Sequence, residues 1–164
     1  MMRVLICDDE VNVCRLLISL INWDALDLEL VGLAHTGPEA LQKIQDLLPQ
    51  IVITDVRIPV FDGLELVSRT QALGIHANFI VVSGYQHFEY VHNALRHGIV
   101  DYLLKPINRE ELNNALEVII SRHQKDLYEN NRTRNLERSL QQAQKSLVTR
   151  YLNDIIGGRA QDLT

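Results

Sequence analysis

The sequence predicts a doubly wound α/β fold built around a parallel sheet. Five short apolar runs alternate with segments of helical periodicity over residues 1–122. The runs are continuously apolar rather than alternating, which is typical of parallel strands buried on both faces. Five βα units in succession give a sheet with helices on both sides. The runs, taken as strands in chain order, are Val4–Cys7, Leu30–Ala34, Ile51–Thr54, Phe79–Val82 and Tyr102–Leu104.

The segments between the runs have helix signals. Thr36-Gly-Pro-Glu39 combines a capping hydroxyl, an early proline and a glutamate three residues later, and Asn108 with Glu111 gives a similar start for the last helix. Apolar residues repeat at helical spacing, which predicts one buried face on each of the first two helices. The residues of these faces are Val11, Leu16, Leu17 and Leu20, then Ala40, Ile44, Leu47 and Leu48.

Residues 123–164 differ in composition and predict a helical linker that follows the domain of residues 1–122. Residues 124–150 contain 7 apolar positions in 27 and no Gly or Pro, which favours a long solvated helix. The spacing of Leu136, Leu140, Ala143 and Leu147 begins a coiled-coil seam. A helix extension without a partner is the alternative. We expect the helix to end at Gly157-Gly158.

Charge and composition limit the function classes. The net charge is −5, with −7 on residues 1–122 and +2 on the remainder. The negative charge of residues 1–122 does not favour electrostatic attraction of nucleic acid. It favours the binding of a cation. No apolar run approaches the roughly 18 residues of a membrane span, and the start has no signal-peptide pattern. Cys7 and Cys14 lie in apolar segments without a redox motif, so we expect a cytoplasmic protein without disulfides.

Residues whose side chains can bind a metal ion or take part in catalysis follow four of the five predicted strands. Asp8-Asp9 follow the first strand and Asp55 follows the third, while Ser83 and Lys105-Pro106 follow the last two. In an open parallel sheet, ligands bind at the carboxyl ends of the strands. We therefore expect three carboxylates, a hydroxyl and an ammonium group to meet at one edge of the sheet.

These groups suit phosphoryl transfer to an aspartate. Three carboxylates held together repel one another, and a compact all-oxygen site suits Mg²⁺. A carboxylate can attack a phosphoryl group to form an acyl phosphate. Mg²⁺, Lys105 and the Ser83 hydroxyl would stabilise the charge on the transferring oxygens.

Four motifs, CDDE, VITDVRIPVFDG, VVSGY and DYLLKP, occur in this order over residues 3–122. In this order and spacing they resemble the receiver domain of two-component response regulators, which has the flavodoxin-like (βα)₅ fold. The resemblance implies that Asp55 is the phosphoacceptor. It also implies that Asp8, Asp9, Asp55 and the backbone carbonyl of Arg57 hold Mg²⁺.

The resemblance assigns further roles around the acceptor. Ser83 would contact the phosphoryl group, Lys105 would be the lysine of the family's site, and Tyr102 would be the switch aromatic. The peptide bond between Lys105 and Pro106 is usually cis in this family. A sensor histidine kinase would supply the phosphoryl group, so the domain would be a switch rather than a metabolic enzyme.

The stretch SGYQHFEYVHNALRHGIVDYLLKPI resembles receivers whose output is an AraC-type DNA-binding domain. We expect DNA contact only through such a domain, which is absent from this chain. Phosphorylation would change the face formed by the helix after the fourth strand, the fifth strand and the last helix. We expect a homodimer through that face or through the tail helix, where the seam at Leu136, Leu140, Ala143 and Leu147 suggests a second copy as the partner.

Two alternatives remain beside the receiver. A haloacid-dehalogenase-like phosphohydrolase shares the aspartate nucleophile and Mg²⁺, but it needs a second aspartate two residues later, where this chain has Arg57. An inactive receiver used only for protein contacts would be expected to lack the acidic pair or the lysine, and both are present.

Overall fold

The computed structural model describes residues 1–84 and 98–162, with side chains up to Gly157. Five strands form one sheet in the order β2-β1-β3-β4-β5, and every neighbouring pair is parallel. Each predicted run lies inside one strand, so the predicted fold class is confirmed. The helix predicted after the fourth strand falls on residues 85–97, outside the described part. The strands are β1 (Met2–Cys7), β2 (Leu28–Ala34), β3 (Ile51–Asp55), β4 (Asn78–Ser83) and β5 (Ile99–Leu104).

Short polar side chains begin three of the helices. The Thr36 hydroxyl accepts the Glu39 N–H at 3.2 Å, and Asn108 Oδ1 accepts the N–H groups of Glu110 and Glu111 at 2.8 and 3.2 Å. Both predicted helix starts are therefore confirmed. The Asp62 carboxylate caps a third helix in the same way. The helices are α1 (Val11–Leu20), α2 (Trp23–Leu26), α3 (Gly37–Leu47), α4 (Gly63–Ala72) and α5 (Arg109–Asp162).

The strands bury side chains on both faces of the sheet. Successive residues of β1 point in opposite directions: Val4 and Ile6 pack with α1 and the first turns of α5, whereas Leu5 and Cys7 pack with α3 and α4. Helices thus cover both faces, which explains why the runs are apolar without alternation.

The buried face of α1 differs from the predicted one. Val11 and Leu16 are 50% and 46% exposed, whereas Cys14 and Leu17 are buried. Cys14, Leu17 and Ile21 follow one another at three- and four-residue spacing, so they line the side that meets the sheet. The prediction was wrong for Val11 and Leu16 because Cys14 supplies the apolar contact in their place.

The contacts divide the chain into two compact units, Met1–Ser121 and Arg122–Thr164. The first turns of α5 belong to the core of the first unit, while every described side chain from residue 124 to residue 157 is exposed. The helix continues through Gly157-Gly158, so the expected stop there is wrong. A glycine in a helix costs only about 1 kcal/mol relative to alanine, which does not by itself end a helix. Within the described residues, no helix has the length and apolarity needed to cross a membrane.

Candidate functional site

The sheet topology places two predicted site residues side by side. Cys7 lies opposite Thr54 in the β1–β3 register, so Asp8 and Asp55 come at neighbouring strand ends. The strand order reverses between β1 and β3, which is where open α/β sheets form a ligand crevice. One carboxylate oxygen each of Asp8, Asp9 and Asp55 lies within 4.8 Å of the other two. The structure therefore brings the three carboxylates together in that crevice.

Asp8 is the buried member of this cluster, with 1% of its surface exposed. Its Oδ1 accepts the Glu10 N–H at 2.9 Å, just before α1 begins. Its backbone oxygen accepts a hydrogen bond from His35 Nδ1 at 2.8 Å. Burial raises the pKa of Asp8 to about 6; the Glu10 N–H opposes this change, and the Asp55 charge adds to it. Burial thus disfavours the ionised form of Asp8, and a cation bound beside this carboxylate would stabilise that form.

Lys105 neutralises part of the acidic cluster. Its Nζ lies 2.8 Å from Asp55 Oδ2 and 3.7 Å from Asp8 Oδ2. Burial tends to lower the pKa of Lys105, but the hydrogen bond and charge of Asp55 outweigh it, so the pKa lies above its usual value. Lys105 therefore remains a positive charge beside the Asp55 carboxylate. The bond from Lys105 to Pro106 is cis.

The loop after β3 holds the other oxygen of Asp55. The Arg57 N–H donates to Asp55 Oδ1 at 3.1 Å, while the Arg57 side chain is exposed. Gly63 starts α4 against the end of β3, and a Cβ there would lie 2.4 Å from the Asp55 backbone oxygen. Only glycine allows this approach without a shift of the backbone. Gly63 therefore helps to fix the position of Asp55.

The remaining predicted residues lie on β4 and β5. Ser83 is buried at the end of β4, and its backbone oxygen accepts the Lys105 N–H at 2.8 Å. Tyr102 lies on β5, half-buried, and packs against the core cluster on the α3/α4 face of the sheet. Ser83 and Lys105 thus stand at adjacent strand ends, next to the end of β3 that carries Asp55.

His35 and Gly63 were not singled out from the sequence. His35 comes directly after β2, so the rule applied to the other four strand ends would have found it. Its contact with the Asp8 backbone oxygen supports the turn that carries Asp8 and Asp9. Gly63 is the last residue of the VITDVRIPVFDG motif, but its role depends on the packing of α4 against β3, which only the structure shows.

The donor set fits Mg²⁺. Three carboxylates and one ammonium group carry a formal charge of −2, which a divalent cation balances. Opposite ligands of an octahedral Mg²⁺ ion lie about 4.2 Å apart, close to the 4.8 Å spread of the carboxylate oxygens. All the side-chain donors are oxygens, the ligands that Mg²⁺ prefers.

Comparison with known proteins assigns the family. Residues 4–117 match the profile described as the response regulator receiver domain. An uncharacterized transcriptional regulatory protein, YesN of Bacillus subtilis strain 168, is 37% identical over 161 residues, which are 98% of this chain and 44% of YesN. The transcriptional regulatory protein HptR of Staphylococcus aureus strain N315 is 37% identical over 129 residues, which are 79% of this chain and 49% of HptR. The chain thus spans less than half the length of these relatives.

Solved structures show the same fold. The REC domain of AraT, a response regulator from Geobacillus stearothermophilus, superimposes with a TM-score of 0.71 at 28% identity, over 77% of this chain and 98% of that one. A CheY-like response regulator receiver domain from Methanospirillum hungatei JF-1 gives a TM-score of 0.68 at 25% identity, with the same coverage. With the profile match over most of the chain, these likenesses establish that the chain belongs to the response regulator receiver domain family.

Proposed function

We propose that this receiver domain is phosphorylated on Asp55 and that Mg²⁺ bound at Asp8, Asp9 and Asp55 is required for the transfer. Receiver domains of two-component response regulators are signalling proteins rather than classical enzymes, and they bind Mg²⁺ at an acidic pocket. The hydrolase alternative is therefore not retained. The family also implies a sensor histidine kinase as the source of the phosphoryl group.

The ion pair between Lys105 and Asp55 carries the assignment of the acceptor. Its 2.8 Å distance places a fixed positive charge beside one carboxylate oxygen, where charge would develop on an incoming phosphoryl group. Asp8 is less suited to attack because its carboxylate is buried, whereas that of Asp55 is only partly buried. Asp9 is exposed, and the described residues give it no equivalent lysine contact.

Mg²⁺ would be held by the three carboxylates and the backbone carbonyl of Arg57. When bound, it would reduce the repulsion between Asp55 and the anionic donor. Lys105 would hold the phosphoryl oxygens from the other side, and the Ser83 hydroxyl would bond to one of them. The Tyr102 side chain would then turn inward and alter the face that β5 forms with α5 and with the helix predicted after β4.

We infer the output from the relatives and from one sequence stretch. YesN and HptR are transcriptional regulatory proteins more than twice as long as the parts that match. The residues SGYQHFEYVHNALRHGIVDYLLKPI resemble receivers joined to an AraC-type output. The proposed whole protein binds DNA through such a domain, and phosphorylation controls dimerisation through the face that includes β5 and α5.

Intact-mass spectrometry after incubation with acetyl phosphate tests the acceptor. The wild-type chain should gain one phosphoryl group with Mg²⁺ and none with EDTA. Asp55→Asn should abolish the gain, whereas Asp46→Asn, which changes an exposed aspartate of α3, should leave it unchanged. Equal labelling of Asp55→Asn and wild type would refute the assignment.

A further inference from the structure

The second half of α5 carries an exposed apolar stripe. From residue 136 to residue 155, apolar side chains recur every three or four residues on one side of the helix, and the large ones among them are 40% to 68% exposed. The stripe is about 30 Å long at the rise of an α-helix. An apolar surface of this length on a polar helix indicates an interface. Its members are Leu136, Leu140, Ala143, Leu147, Tyr151 and Ile155.

We propose that residues 132–156 pair with the same residues of a second copy as a parallel two-stranded coiled coil. In heptad positions, Leu136 and Ala143 occupy d, and Leu140 and Leu147 occupy a. In a parallel pair, each of these residues packs against its own counterpart across a two-fold axis. The contact is a property of the tail and does not depend on phosphorylation of Asp55.

The charges beside the seam favour a second copy in parallel orientation. Arg132 falls at g and Glu137 at e of the next heptad, the two positions that meet across a parallel coiled coil. The two-fold axis makes this ion pair twice. The flanking positions that follow along the seam are uncharged, so they add no repulsion. They are Ser139, Gln144 and Ser146.

The antiparallel arrangement loses this complementarity. If the same leucine layers are aligned in opposite directions, Arg132 lies level with Tyr151 and Glu137 lies level with Ser146. Neither charge then meets an opposite charge. The apolar seam alone permits both directions, and the Arg132–Glu137 pair selects the parallel one.

The extent of the stripe limits the contact to the end of the tail. N-terminal to Leu136, the positions of the seam are occupied by polar residues, which end the apolar packing between the two helices. They are Asp126, Glu129 and Thr133. Beyond Leu147, the stripe continues through Tyr151 and Ile155 at four-residue steps, a change of spacing that locally unwinds a coiled coil. The regular seam from Leu136 to Leu147 covers fewer than two heptads, which predicts an association weaker than that of a long zipper.

Sedimentation of the full chain tests the pairing and its register. Without any phosphodonor, the chain should dimerise within a concentration range of about 5–200 µM. Arg132→Glu and Glu137→Arg should each raise the dimer dissociation constant by roughly three- to tenfold, since each replaces two attractive pairs with repulsive ones. The double variant should restore it. Arg134→Glu, a matched change at an outer position, should have little effect.

A cysteine at the seam tests the direction independently. Ala143→Cys should form a disulfide-linked dimer on mild oxidation, because position 143 meets itself only in the parallel pair. Wild type, whose two cysteines are buried, and Lys145→Cys at an outer position are the controls. The proposal would be overturned if the chain stayed monomeric at every concentration. It would also be overturned by a dimer in which the double variant of Arg132 and Glu137 does not restore affinity and Ala143→Cys does not cross-link. Labelling of Asp55 by acetyl phosphate does not depend on whether the tails pair. Failure of the proposed tail pairing would therefore be distinguishable from failure of the acceptor assignment.

Discussion

Asparagine at position 8 isolates the cost of holding a charged carboxylate in the acidic crevice. Asp8 is buried beside Asp55, and its pKa is about 6 against an ordinary value of 3.8. This difference means that folding disfavours the ionised form by about 3 kcal/mol. Asparagine keeps an oxygen for the Glu10 N–H and removes the charge. We therefore expect Asp8→Asn to recover most of this cost and to stabilise the metal-free protein at pH 7.5 by about 2 kcal/mol.

The sign of the pH dependence follows from the raised pKa. Between pH 3.8 and 6, the unfolded state releases the Asp8 proton before the folded state does, so the stability of wild type falls as pH rises through this window. The advantage of Asp8→Asn should therefore be largest above pH 6 and roughly half as large at pH 5. At pH 4 it should fall to about a fifth of its value above pH 6.

Urea unfolding with EDTA at pH 7.5, 5 and 4 measures this effect, with Asp46→Asn as the exposed control. A gain of 2 kcal/mol corresponds to a rise in Tm of about 6 °C for a chain of this size. Addition of Mg²⁺ should narrow or reverse the difference, because the ion stabilises wild type more than the variant. If Asp8→Asn is no more stable than wild type in EDTA, or if its gain is independent of pH, the account of the buried charge is wrong.

Two further predictions concern the scaffold around the site. Gly63→Ala should lower the free energy of unfolding by roughly 1–3 kcal/mol, because the new Cβ would press on the Asp55 backbone oxygen. The control is Gly84→Ala, where a Cβ meets nothing within 4 Å. In the same urea titration, this variant should unfold with nearly the free energy of wild type. Asn113→Ala should cost about 2 kcal/mol, because the buried Asn113 amide accepts the Asn22 N–H and donates to the Leu20 oxygen, both at 2.9 Å. Thermal unfolding of Asn113→Ala beside the exposed neighbour Asn114→Ala would contradict this reasoning if both variants had the same Tm.

The strands were predictable from the sequence because each is a continuous apolar run. Burial on both faces leaves little room for polar residues, so the runs from Val4 and from Ile51 are visible without knowledge of their partners. The carboxylate cluster was predictable for a related reason: Asp8 and Asp55 follow directly after strands, and the carboxyl ends of parallel strands share one edge.

Contacts between elements distant in the chain were not predictable. Leu16 and Cys14 are both acceptable on the inner face of α1, and only the packing of α1 on the sheet decides that Cys14 is buried. The three hydrogen bonds of Asn113 likewise depend on the meeting of α5 with the end of α1. The continuation of α5 through Gly157 was missed because a glycine lowers helix stability without excluding the helix.

Trapping the phosphorylated residue by borohydride tests the central claim, that Asp55 is the acceptor, most directly. Hydride reduces an aspartyl phosphate to homoserine and releases phosphate, so the modified position is recorded in the peptide itself. After phosphorylation with acetyl phosphate and Mg²⁺, peptide mass spectrometry should find homoserine at position 55 and at neither position 8 nor position 9. Homoserine at position 8 or 9 with aspartate retained at 55, or no conversion within the crevice, would contradict the account.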